Sequence, residues 1–141
     1  MSGTSKPTLD QRRASHAWKA ITGLKEGGKY GEKAKEYARE AKKLPMRIKA
    51  SGLGQALAFI LAKAKDKKPK LKKLHDDLTE WVIRERPMKA EDTSSLMLSI
   101  IHEKATSDFL RRATDETLAY LQWLNRFAEA EGLTEDSEQN K

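Results

Sequence analysis

From Leu9 to Ala130 the apolar residues of this chain recur mainly three and four positions apart, the spacing of helices and not of strands. At 3.6 residues per turn, that spacing brings i, i+3, i+4 and i+7 to one face of a helix. A chain patterned this way has no strand face with which to build a sheet. The expected fold is all-α, a single bundle of about six helices.

The stripes set the order of the elements. Thr8 and Gln11 form a capping box, and Ala14, Ala17, Trp18, Ile21 and Leu24 line the first helix, which Gly27 and Gly28 end. Tyr30, Ala34, Tyr37, Ala38, Ala41 and Leu44 line a second, from about Tyr30 to Lys43. Leu44 precedes Pro45, whose ring disfavours helix before it, so a break is expected there. The third helix follows Gly52, with Leu53, Ala56, Leu57, Ile60, Leu61 and Ala64 inward. Ala58, Phe59 and Ala62 make its other side apolar too, which predicts a central position. Pro69 restarts the chain as a fourth helix with Leu71, Leu74, His75, Leu78, Trp81 and Val82 buried, stopping near Pro87. After a loop over Met88 to Thr93, a short helix carries Leu96, Met97, Ile100 and Ile101. The last runs from about Ser107 to Ala130 on Leu110, Ala113, Tyr120, Leu121, Leu124, Phe127 and Ala128. Trp123 and Phe127 are expected to anchor it against the third helix. Residues 1–8 read as a disordered lead, 9–131 as the helical domain and 132–141 as a polar tail.

A chain of 141 residues suffices for one such core. It contains no cysteine, which excludes disulfides and thiolate chemistry. No run reaches the ~20 apolar residues of a membrane span, and the first residues lack an apolar signal core. A cytoplasmic location is the expectation.

Charge is divided unevenly. Residues 1–73 hold 20 basic and 6 acidic side chains, and the remainder 8 basic and 15 acidic, so the net +7 combines +14 with −7. Such asymmetry suits a polyanionic partner for one half, and head-to-tail contact between copies.

Little in the chain points to catalysis. "GLG" at Gly52 to Gly54 lacks the preceding strand and the longer glycine spacing of a phosphate loop. His16, His75 and His102 show no i, i+4 pair, and His75 lies on an apolar stripe as a core histidine would. Asp76–Asp77 and Glu91–Asp92 are adjacent pairs, which point in different directions on a helix. No enzyme, cofactor, metal or small-molecule substrate is expected.

The cations are more informative. Lys42, Lys43, Arg47 and Lys49 gather on and beyond the second helix. Arg12 and Lys19 share a polar stripe with His16, and Lys65 to Lys73 form a dense run. Basic clusters of this kind bind phosphates with little sequence preference, and no aromatic is interleaved in the lysine run for base stacking. The first six residues are the candidate nucleic-acid contacts. A helix-turn-helix DNA-binding protein is the alternative, but it needs a face of exposed Arg, Asn or Gln.

Three blocks in order, "LDQRRASHAW", "YAREAKKLPMRIKASGLGQALAFILAK" and "FLRRATDETLAYLQWLNRFAEA", resemble the small helical subunit of Cmr complexes, the type III-B CRISPR–Cas effectors of the RAMP module. The matching residues are Arg13, Ala14, Leu44, Pro45, Gly52, Leu53, Gln55 and Leu57. In the last block they are Arg112, Thr114, Glu116, Trp123, Leu124, Arg126, Phe127 and Ala128. Phe109 stands where many relatives have tyrosine. The resemblance implies a non-catalytic antiviral-defence subunit, present in several copies that stack as a minor filament beside the backbone subunits holding the guide RNA. The implied partners are those other Cmr subunits, copies of itself and the target RNA.

Overall fold

In the computed structural model, which describes residues 6–87 and 95–134, the chain forms six helices: α1 Leu9–Thr22, α2 Glu32–Ser51, α3 Leu53–Asp66, α4 Lys70–Glu85, α5 Leu96–Ile101 and α6 Ser107–Ala130. The all-α expectation is met. Among the described residues the only pairing outside helices is an isolated Glu26–Lys29 bridge. It closes a turn in which Gly27 and Gly28 take φ of 61° and 81°, values that side chains with a Cβ resist. The capping box is present too: Thr8 Oγ1 accepts from the Gln11 backbone N–H at 3.1 Å, and Gln11 Oε1 accepts from that of Thr8 at 2.7 Å.

The largest departure from the sequence reading lies at Pro45, where α2 runs straight on to Ser51. Proline has no N–H for the carbonyl four residues back, which here belongs to Ala41, a fully buried residue. Asn125 of α6 donates its Nδ2 to that carbonyl at 3.1 Å. A neighbouring helix thus supplies the missing donor, which local sequence rules do not anticipate. α2 ends only at Gly52, whose φ of 88° turns the chain and lets one residue both close α2 and open α3.

The centre of the bundle is α4, which packs against all five other helices. Leu71, Leu74, His75, Leu78, Trp81 and Val82 are all buried, the stripe read from the sequence. α3 is peripheral instead: it packs on α2, α4 and α5, and leaves Ala58, Phe59 and Ala62 in solvent. Its second apolar side is a surface, not a second core contact. α6 follows the expected bounds, but Trp123 and Phe127 face α1 instead of α3. Phe127 stands edge-on to the exposed Trp18 (5.2 Å between centroids) and stacks on Trp123 (5.5 Å), whose Nε1 donates to Asp10 at 3.0 Å. Beyond α6, Leu133 and Thr134 are also buried. The 88–93 loop and residues 135–141 fall outside the described residues.

Three large aromatics fill the interior, Tyr37, Trp81 and Tyr120. Each has a partner for its polar tip, as buried Tyr and Trp require. Tyr37 donates to Asp77 at 2.6 Å, Trp81 to Glu116 at 2.8 Å, and the Tyr120 hydroxyl lies 2.7 Å from His16 Nδ1.

Candidate nucleic-acid interface

Helical register fixes where the six candidate cations lie, and it does not bring them together. Arg12 and Lys19 line a groove of about 990 Å³ between α1 and α4. The sequence reading missed two other cations there, Lys6 and Arg84. Arg84 was legible, since Glu80 and Arg84 are spaced i, i+4 on the polar face of α4, but attention to the buried stripe passes over that face. Arg12 is paired with Glu85 at 2.6 Å and remains partly exposed. At the floor, His16 bridges Tyr120 and Glu80 (2.6 Å from Nε2) and packs on the Trp81 ring. It is a joint between α1, α4 and α6 more than a member of a solvent stripe.

Lys42, Lys43 and Arg47 lie on the other side of α2, against α3. Arg47 pairs with Glu40, which also receives Lys63 at 2.9 Å, and its guanidinium covers the Phe59 ring at 4.3 Å. Burial pushes the Glu40 carboxyl up, but these two cations outweigh it and hold it below the usual value. Lys49, on the α6 side of the same helix, shares a recess with Asp10, Trp123, Arg126 and Glu129. The dense lysine run is largely helical: Lys70, Lys72 and Lys73 belong to α4, and Lys72 and Lys73 pair with Asp76 and Asp77 one turn on.

Arg13 and Glu116, charged residues of the family blocks, hold the core together instead of forming a ligand site. Glu116, almost fully buried, receives Arg13 through two bonds (Nε 2.6 Å, Nη2 2.9 Å) and Trp81 through a third. Burial raises the Glu116 carboxyl, yet Arg13 and Trp81 together keep it below the ordinary carboxylate range. It is therefore an ionised clamp joining α1, α4 and α6. His75 is the core histidine expected: its burial lowers its affinity for a proton, and its Nε2 faces Ser95 Oγ at 3.3 Å. Among the described residues no three His, Asp or Glu side chains gather as a metal site, and no helix is long and apolar enough to cross a membrane.

With that geometry in place, comparison with known proteins is decisive. The sequence model of the CRISPR-associated protein family Cas_Cmr5 matches residues 9–131, the whole six-helix stretch. The chain belongs to the Cmr5 family. A "CRISPR system Cmr subunit Cmr5" of Thermus thermophilus is 34% identical over 121 residues, spanning 84% of this chain and 96% of that relative. A crystal structure of a CRISPR-associated Cmr5 family protein from Thermus thermophilus superposes with a TM-score of 0.68 at 30% identity, over 89% of this chain and 97% of the other. The family indicated by the three sequence blocks is thus the right one. Of those blocks, Arg13, Glu116 and Trp123 serve packing in this chain: they tie α1 to α4 and α6.

Proposed function

We propose that the protein is the small, non-catalytic subunit of a Cmr effector, stacked in several copies beside the subunits that hold the guide RNA, and that its α1–α4 groove meets the target RNA. The observation that carries this reading is the family match over nearly the entire helical domain. The chemistry supports it. The buried carboxylates Glu40 and Glu116 are locked to cations with lowered proton affinity, the opposite of what a general acid needs.

For RNA, Lys6, Arg12, Lys19 and Arg84 offer cations along one open groove, suited to phosphates without reading bases. In that groove the cations outnumber Glu80 and Glu85. Lys49 belongs to a separate recess, where it and Arg126 are matched by Asp10 and Glu129, and it is the comparison site. Lys42, Lys43 and Arg47 share a groove with apolar side chains, which suits a partner of different chemistry.

The test is reassembly with the other Cmr subunits and titration with complementary RNA at several salt concentrations. Arg12→Gln and Lys19→Gln should each reduce the salt slope of binding by ~0.7, about equally for every guide sequence, while guide loading is unchanged. Lys49→Gln should have a smaller effect. Wild-type affinity and slope in all three would remove the RNA contact from the reading. Failure of the chain to join the other subunits at all would remove the whole of it.

A further inference from the structure

A groove of about 780 Å³ lies between α2 and α3, lined by the apolar Met46, Ala50, Ala56 and Phe59 and by the cations Lys42, Lys43 and Arg47. Met46 and Phe59 are 77% and 44% exposed, two of the four large hydrophobic side chains that the described residues leave in solvent. Two such side chains in one recess, bordered by charge, mark a contact surface.

The occupant is narrowed by what already lies against Phe59. The Arg47 guanidinium sits 4.3 Å from the Phe59 ring centre and the Lys63 ammonium 5.3 Å, and both are held by Glu40, so a stacked nucleobase would share the ring with cations already in place. A phosphate would meet the cations but gain nothing from Met46 and Phe59. An apolar side chain with a carboxylate beside it satisfies both the apolar and the cationic lining.

The chain itself carries that combination. Ile101, at the end of α5, is 62% exposed, and Glu103 two residues on is exposed as well. Trp18, the remaining exposed hydrophobic, packs edge-on to Phe127 of its own chain and has no carboxylate beside it in sequence. Ile101 also lies away from the groove: a Cβ on Gly54 would come within 3.6 Å of Ile101 Cγ2, and Gly54 and Phe59 stand about 140° apart around α3 at ~100° per residue. Knob and socket on different faces repeat head to tail from copy to copy.

We propose that the α2–α3 groove receives Ile101 of a second copy of this chain between Met46 and Phe59, with that copy's Glu103 against Lys42 and Lys43. This rests on the multi-copy reading above and assigns it a contact.

The absence of cysteine makes the test specific, because single Met46→Cys and Ile101→Cys variants carry one thiol each. Both are assembled with the other Cmr subunits, alone and as an equal mixture, and treated with a short bismaleimide, while native mass spectrometry counts the copies. The expected result is a chain dimer in the mixture and none with either variant alone. Lys43→Glu placed in the Met46→Cys chain should lower the mixed yield about tenfold, and Glu103→Lys in the Ile101→Cys chain should restore it. Two or more copies without the mixed product overturn the groove assignment and leave the multi-copy reading standing. So does a Met46→Cys chain that links to itself, to another subunit or, with a photoreactive maleimide, to RNA. A single copy per complex overturns both.

Discussion

Glu116 is the residue on which three helices depend. Its carboxylate takes two bonds from Arg13 and one from Trp81 in near-complete burial. Losing one partner would leave charge or donors without a mate, a cost of several kcal/mol in comparable sites. The sign of its pH dependence follows from its depressed folded value. The stability it contributes is present above the ordinary 4.5 and is lost as the pH falls through the lower folded value. Glu116→Gln, which removes the titration and keeps the shape, should lower the melting temperature at neutral pH. It should also flatten its decline below pH ~4.5, and melting curves from neutral to acid pH check both. A variant that melts with the wild-type acid profile would show that Glu116 does not titrate in that window. Asp10, held low by Trp123 and Arg13, acts in the same direction from the surface, and with Glu40 and Asp76, whose carboxyls are also held low, it leaves a residual slope.

Among the elements, α2 best shows what can and cannot be read from a sequence. Its apolar stripe is a local property, and so are the start of α3 after Gly52 and the N-terminal box of α1. Each is legible because the residues that decide it are neighbours in the chain. The passage through Pro45 depends on Asn125, far along the sequence and polar, with no pattern announcing that it faces Ala41. The candidate cations are dispersed for a related reason. A helix extended past Pro45 carries Lys49 and Arg47 to different sides, so closeness in sequence becomes distance in space. Phe59 reads as core because composition shows that a residue is apolar but not whether anything lies beside it. The Pro45–Asn125 device has a measurable consequence. Asn125→Leu removes the donor at similar volume and should cost ~1–3 kcal/mol by urea denaturation, the penalty for an unpaired buried acceptor. In a Pro45→Ala background the backbone N–H returns to the Ala41 carbonyl, and the same change should cost markedly less. Equal costs in the two backgrounds would mean that Asn125 does not serve the proline gap.

At the scale of the whole molecule, α4 is the hub and α1 and α3 are the margins. Hydrogen exchange should rank them accordingly, because amides of packed central elements open only with global unfolding. The Leu74 to Val82 amides are expected to be the slowest and those of Lys63 to Asp66 among the fastest. Equal protection along α3 and α4 would contradict the central place of α4.

The pairing of α1 with α6 also has a consequence in time. Arg13 meets Glu116 across 103 positions, and Asp10 meets Trp123 across 113. At ~5–20 residues per second of synthesis, Ala17 and Ile21 leave the ribosome on the order of 5–20 s before the helix that covers them. α2, α3 and α4 follow one another closely and can settle during that interval. Of the six helices, α1 is made first yet completes its packing only when α6 arrives, and a nascent chain shortened before Ser107 would hold an apolar strip open to any chaperone or stray helix nearby.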